Sequence, residues 1–148
     1  MGKVRKLLSV ALLVCVVGAF FASPAYAANI AYSFNLENTG TTYMMYTSAS
    51  NTKSYASDPA TVATTSNDAP GWGFAFLMAY YSNGHYYIAT KTSPAYWISG
   101  KGIIHPAYLT NQNQINRAYY VGARIDNDYA GPYSCAGVFN SDYTTPSI

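Results

Sequence analysis

Charged side chains are scarce in this chain: Asp, Glu, Lys and Arg together make up 9% of its 148 residues. Three of the eight basic residues, Lys3, Arg5 and Lys6, lie at the extreme N-terminus. Residues 28–148 therefore hold five basic and six acidic side chains, a net charge of about −1. Because no basic run remains, we expect neither nucleic-acid binding nor attachment to a membrane through a polybasic patch.

Cysteine is also nearly absent. One of the two cysteines, Cys15, lies in the apolar N-terminal segment, so residues 28–148 contain Cys135 alone. An intramolecular disulfide is excluded there, and packing must hold the fold together. We predict that Cys135 is a buried strand residue; pairing between chains or reactivity are the alternatives.

The sequence has one long apolar run, Leu7–Phe21, which follows the basic residues at the N-terminus. At about fifteen residues it is short for a membrane span of about twenty. Ala25–Ala27 fits a small-x-small cleavage pattern, which predicts a secretory signal peptide over residues 1–27, cut before Ala28. An uncleaved anchor is the alternative. We therefore expect a secreted, extracellular domain at 28–148 with no stable membrane insertion of the mature chain.

No apolar stripe at helical spacing follows this segment, whereas period-two alternation recurs. Ile30, Tyr32, Phe34 and Leu36 alternate with small or polar residues, as in a strand with one buried face. Turn residues then punctuate the chain at short intervals. The sequence predicts an all-β domain, a small antiparallel two-sheet sandwich with a small β-barrel as the alternative. The predicted strands are 30–36, 42–47, short edge strands around Ser54 and Val62, 74–81, 85–91, 96–98, 103–104, 117–125 and 133–140.

The strand Phe74–Tyr81 is apolar on both faces, which is typical of a central strand covered on both sides. It joins the strand that begins at His85 through Asn83-Gly84, the residues preferred in a two-residue type I′ turn. We therefore predict a tight hairpin here, rich in tyrosine.

Tyrosine is abundant: fifteen fall within residues 28–148. A single small core is not expected to hide them all, and neighbours on a strand face opposite ways. One ring of each adjacent pair can then pack inward while the other joins an exposed strip that binds a cell-wall glycan or an extracellular protein. For the hairpin, packing in the core and in cross-strand pairs is the favoured interpretation, and the exposed strip is the alternative. The candidate residues are Tyr80, Tyr81, Tyr86, Tyr87, Tyr96, Trp97, Tyr119 and Tyr120.

Catalytic and metal-binding patterns are poor. A thiol nucleophile would need Cys135 with His85 or His105, but no family signature surrounds the cysteine. The close acidic pair Asp126 and Asp128 is typical of a solvated turn, and it matches only part of a calcium loop. We predict no catalytic residue, no cofactor and no metal, with Asp126 and Asp128 as weak metal candidates.

The segment "AYYVGARIDNDYAGPYSCAGVFNSDY" (residues 118–143), with the early "AYSFNL" strand, resembles a family of short secreted proteins from Bacillus-type Gram-positive bacteria. Asn127 occupies the family's Asn-rich turn, and Gly137 and Phe139 occupy its final strand. The "AGPYSC" stretch has no counterpart there. The resemblance implies secretion and a β-fold, and it supplies no activity or catalytic residue.

The leading functional prediction is a non-enzymatic extracellular β-domain that binds a glycan or a protein. A bacteriocin-like or inhibitory protein acting on competitor cells is a second hypothesis, although no cationic amphipathic segment supports it. A small secreted hydrolase is a third. Self-association is a further hypothesis, because Thr/Tyr-rich edge strands carry few charges.

Overall fold

The computed structural model describes residues 28–37, 40, 42–43, 45–125 and 131–148. Within these residues the chain forms strands and turns and no helix, so no helix there is long and apolar enough to cross a membrane. The strands are β1 Ile30–Leu36, β2 Met45–Tyr46, β3 Asn51–Thr52, β4 Thr61–Asn67, β5 Phe74–Ser82, β6 His85–Ile88, β7 Tyr96–Ile98, β8 Gly102–Ile104, β9 Ala118–Ile125 and β10 Tyr133–Asn140.

The strands form two antiparallel sheets. The four-stranded sheet has the order β1-β10-β4-β8. In the six-stranded sheet, β9 and β5 lie side by side at the centre. The short strands β2 and β3 pair with different parts of β9, while β6 and β7 pair with the two ends of β5. The predicted all-β, two-sheet architecture is confirmed.

The core lies between the sheets and follows the alternation in the sequence. Tyr32, Phe34 and Leu36 of β1 are buried, whereas the residues between them are exposed. The ring of Phe76 on β5 faces this strand, with its centroid 5.5 Å from that of Tyr32 and 6.5 Å from that of Phe34. Cys135 is buried on β10, as predicted.

Three strand predictions were wrong in extent. The strand predicted over 42–47 is a strand only at Met45–Tyr46 among the described residues. The chain around Val62 forms a seven-residue interior strand between β10 and β8, not a short edge strand. Its small Thr and Ala side chains fit a crowded interior position without giving a strong apolar signal. The strand predicted over 85–91 ends at Ile88, because the chain then leaves β5 and residues 89–91 pair with 107–109.

The C-terminal segment is fixed by a buried ion pair. The ammonium of Lys53, which is fully buried, lies 3.0 Å from Oδ1 of Asp142. The same ammonium donates hydrogen bonds to the carbonyls of Asp58 and Ser141 and lies over the ring of Tyr108. All three N–H donors are thereby used, so this lysine holds together segments that are distant in sequence.

Gly137 lies at a close approach between β10 and β4. The register between these strands shifts between Ala136 and Gly137. A Cβ at position 137 would lie 1.9 Å from the carbonyl oxygen of Ala63 and 2.9 Å from the Tyr32 hydroxyl. The strand therefore requires glycine at this position.

Candidate binding site on the outer face of the six-stranded sheet

The alternation of β-strands divides the eight predicted aromatic residues equally between the two faces of the six-stranded sheet. The register pairs Tyr81 with Tyr86, Ala75 with Trp97 and Ala79 with Tyr120. Paired residues share a face, and odd-numbered positions of β5 point away from the core. The four outward rings are Tyr81, Tyr86, Trp97 and Tyr120, and the four on the core side are Tyr80, Tyr87, Tyr96 and Tyr119.

The outward rings are organised around Tyr86. Tyr46 from β2 stacks on it with a centroid distance of 4.1 Å and an interplanar angle of 9°. Tyr81 and Tyr120 meet it edge to face, at 4.9 and 5.4 Å. We call Tyr46, Tyr81, Tyr86 and Tyr120 the tyrosine cluster. Each ring is positioned by another ring, so the cluster is preorganised rather than a set of independent surface side chains.

Small residues of β5 and β9 form the floor beneath the cluster. Ala75, Leu77 and Ala79 point outward yet are fully buried. Gly122 lies beside Leu77 in the register, and the Cδ1–Cε1 edge of the Tyr46 ring rests on it. A Cβ at position 122 would lie 2.6 Å from Cε1 of Tyr46, so the missing side chain makes room for this ring.

Arg124 organises the other end of the same face. Its guanidinium lies 4.9 Å from the ring centroid of Trp97 and 5.3 Å from that of Tyr43, and it donates a hydrogen bond to the Gly40 carbonyl. These contacts place a cation between two aromatic rings and restrict its freedom to bind elsewhere. Arg124 is the one formally charged residue on β2, β5, β6, β7 and β9.

The cluster is accessible and uncharged at neutral pH. Tyr81 is 53% exposed and Tyr86 is 36% exposed. Burial raises the pKa of Tyr46, and the neighbouring phenols reinforce this. The pKa of Tyr86 is raised for the same reasons. Both hydroxyls therefore stay protonated and can donate as well as accept hydrogen bonds.

The core-side tyrosines have structural partners instead. Tyr119 is fully buried, and its hydroxyl accepts a hydrogen bond from the Gln114 amide. Tyr96 accepts one from the Ala107 amide. Tyr80 lies between the core and Tyr87, whose ring stacks on it at 5.3 Å. Of these four rings Tyr87 is the most exposed, at 42%, but it lies on the opposite face from the tyrosine cluster.

Two accessible aromatic residues were missed by the sequence analysis. Tyr46 lies forty positions before Tyr86 and reaches it only because β2 pairs with β9, a pairing that no local pattern reports. Trp72 is 66% exposed in the turn before β5. Trp72 lies between Gly71 and Gly73, a sequence pattern typical of a turn, and this pattern could have identified an exposed indole. Both glycines adopt positive φ in the structure.

A cavity of about 330 Å3 opens beside Tyr46, between β1 and the segment 45–49. Its lining combines apolar side chains with the hydroxyl-bearing residues Ser33, Thr47 and Ser48, and it includes no charged residue. Its size is at the lower end of the range for small-molecule sites. An uncharged cavity thus adjoins the uncharged tyrosine cluster.

The cysteine and the two histidines considered for catalysis lie in three separate environments. Burial raises the pKa of the Cys135 thiol to about 12, so it is not a thiolate at neutral pH. His105 forms a hydrogen bond with Thr61 and packs on Tyr143. His85 is exposed at the hairpin tip.

The weak metal candidates, Asp126 and Asp128, lie outside the residues described. Within the described part of the chain, His, Cys, Asp and Glu side chains do not form a group of three or more able to hold a metal ion.

Comparisons with protein-family models, with curated proteins and with solved structures find no match to this chain.

Proposed function

We propose that this protein is a secreted, non-enzymatic β-domain that binds an uncharged glycan of a cell surface through the tyrosine cluster. The observation that carries the proposal is the preorganised set of partly exposed rings on the outer face of the six-stranded sheet. Tyr81 and Tyr86 provide its most exposed surface.

The chemistry of a sugar ring matches this surface. One face of a pyranose presents C–H groups, which pack against the electron-rich face of an aromatic ring. Its hydroxyls can exchange hydrogen bonds with the protonated phenols of Tyr46 and Tyr86. Because the rings already contact one another, little side-chain entropy is lost when a ligand binds.

Charge favours an uncharged ligand. The strands that carry the cluster have no acidic residue, and their single cation, Arg124, is engaged by two rings and a backbone carbonyl. The adjoining cavity is also without charge. An anionic polymer would find no clustered lysine or arginine here to offset the loss of its hydration.

A pelleting assay tests the proposal. The purified protein is mixed with insoluble peptidoglycan or with neutral polysaccharides, and its depletion from the supernatant is measured after centrifugation. We expect saturable binding to a neutral polymer that its soluble fragments displace. The double variant Tyr81→Ser/Tyr86→Ser should weaken binding about tenfold or more, because each stacked ring contributes about 1 kcal/mol.

Tyr87→Ser is the matched control, since Tyr87 neighbours Tyr86 in β6, is similarly exposed and faces the other way. It should bind as the unmodified protein does. Equal losses in both variants would refute the assignment to the outer face. Absence of binding to every polymer would refute the glycan proposal and favour a protein partner.

A further inference from the structure

The free edge of β6 points to a second copy of this chain as its partner: we propose that two molecules associate through antiparallel pairing of their β6 strands. The inference concerns the edge of the six-stranded sheet rather than its face. It is therefore independent of glycan binding.

The hydrogen-bonding groups along β6 alternate in direction. The Ala89 amide donates to the Met78 carbonyl at 2.8 Å, so odd-numbered residues of this strand face β5. The N–H and C=O groups of Tyr86 and Ile88 therefore point away from β5. In the described part of the chain β6 pairs with β5 alone, and all four of its residues are exposed.

The edge is complementary to itself. If Tyr86 of one copy lies opposite Ile88 of the other, each such pair exchanges two hydrogen bonds. The two-fold axis generates two of these pairs, so all four outward N–H groups find acceptors. Tyr87 then lies opposite Tyr87 of the second copy. A register shifted by two residues, with Tyr86 opposite Tyr86, would form only one such pair within β6.

Charge does not oppose this pairing, whereas charged residues flank both edge strands of the four-stranded sheet. No Asp, Glu, Lys or Arg occurs between Asp68 and Lys91, and β6 lies within that stretch. By contrast, Lys101 immediately precedes the edge strand β8 and Glu37 follows the edge strand β1. Charged residues at strand edges protect against pairing between molecules, so β6 is less protected than β1 or β8.

The pairing also has a consequence for the outer face. A two-fold axis perpendicular to the sheet leaves both outer faces on the same side, so Tyr86 of one copy lies beside Ile88 of the other. The two tyrosine clusters then form one continuous surface. Because β6 has only four residues, the interface is smaller than that of a stable dimer, and the association should be weak and dependent on concentration.

Sedimentation equilibrium tests the association. The protein, secreted by an expression host and purified from its medium, is measured from about 10 μM to about 1 mM, the range that resolves weak self-association. We expect the average mass to rise from that of the monomer toward that of the dimer. Ile88→Lys should weaken association at least tenfold by placing like charges near the two-fold axis.

Ile103→Lys provides the matched control, because Ile103 is 36% exposed on the edge strand β8 and Ile88 is 42% exposed on β6. This variant should associate as the unmodified protein does. Tyr87→Cys tests the register, because residues at a non-hydrogen-bonded pair lie about 4.5 Å apart between Cα atoms and can form a disulfide. Tyr143→Cys, exposed elsewhere, should not cross-link.

Several outcomes would overturn the proposal. A constant monomer mass over the whole range would exclude the association and leave the edge to a different chain. Association unchanged by Ile88→Lys would place the contact on another surface. If Ile88→Lys fails to fold, as judged by circular dichroism, the Tyr87→Cys result decides: no disulfide under oxidising conditions refutes the pairing.

Discussion

Replacing Lys53 with methionine should destabilise the protein more than most single substitutions. The Lys53 ammonium is fully buried and donates to the Asp58 carbonyl at 2.8 Å, the Ser141 carbonyl at 2.7 Å and Oδ1 of Asp142 at 3.0 Å. It also lies 4.5 Å from the ring centroid of Tyr108. Methionine keeps much of the side chain's volume but supplies none of these interactions.

The expected cost follows from the groups left behind. The Asp142 carboxylate would retain only the backbone donors of Ser54 and Tyr55, at 2.8 and 3.0 Å, and would lose its counter-ion in a buried site. Removing one partner of a buried ion pair costs about 3–5 kcal/mol, and we expect about 4 kcal/mol here. Domains of this size have about 5–15 kcal/mol of total stability.

Urea unfolding followed by tryptophan fluorescence measures this loss. With a slope of about 1.5 kcal/mol/M, the midpoint should fall by about 2–3 M. Lys91→Met is the control, because Lys91 is exposed and the same substitution there should change stability by less than about 0.5 kcal/mol. Asp142→Asn combined with Lys53→Met should cost less than the sum of the single changes, since both buried charges are then gone.

A loss below about 1 kcal/mol for Lys53→Met, with an unchanged slope, would refute this reasoning. It would mean that water or a shift of the C-terminal segment satisfies the Asp142 carboxylate without Lys53. An additive double variant would refute the direct coupling between Lys53 and Asp142, even if each single variant were strongly destabilised.

Three further predictions concern the core. Gly137→Ala should lower the free energy of unfolding by about 3 kcal/mol or more, because the new Cβ would overlap the Ala63 carbonyl. A urea titration measures this loss, and an unchanged midpoint would contradict the close approach of β10 and β4. Cys135 should resist alkylation at pH 8 while the protein is folded and react once urea unfolds it, because burial raises its thiol pKa to about 12; rapid labelling of the folded protein would disprove its burial. The free energy of unfolding should stay constant up to about pH 9 and then fall, because groups whose pKa is raised in the folded state lose their protons more easily when the protein unfolds. Each such group contributes up to about 1.4 kcal/mol per pH unit. Urea midpoints measured at increasing pH would show this fall. These groups are Cys135 and the phenols of Tyr32, Tyr46, Tyr108 and Tyr119. The pKa of Tyr86 is also raised, but this ring is more than one-third exposed and solvent screening reduces its contribution. Burial lowers the pKa of Lys53, so this residue acts in the opposite direction, but it is a single group. A urea midpoint that rises between pH 9 and pH 11 would therefore contradict the prediction.

The strands with strong local patterns were predictable from the sequence. β1 and β10 have the predicted bounds, and the alternate residues Tyr119, Val121, Ala123 and Ile125 of β9 are all buried. The hairpin turn also agrees, with φ of 48° at Asn83 and 82° at Gly84. In each case the signal lies within a few consecutive residues, either as period-two alternation or as turn chemistry.

Features that depend on distant parts of the chain could not be predicted in this way. β4 gives a weak apolar signal because small Thr and Ala residues suit its crowded position between two strands. Lys53 and Asp142 are 89 positions apart, and each alone resembles a solvated surface charge. Tyr46 joins the tyrosine cluster only through the pairing of β2 with β9. Such contacts follow from strand order, which no local pattern specifies.

The outer face of the six-stranded sheet shows why tyrosine suits both a core and a surface in a chain with few charges. Among the described residues, Ala75, Leu77 and Ala79 lie on the outward face yet are fully buried, and the Tyr46 ring rests on Gly122 beside Leu77. The rings of the tyrosine cluster above this floor present hydroxyls and ring edges to solvent. Removing a ring from the tyrosine cluster therefore exposes apolar surface as well as deleting a contact, and binding and stability are coupled at these positions. Tyr86→Phe separates the two roles, because it keeps the cover over the floor and removes only the hydroxyl.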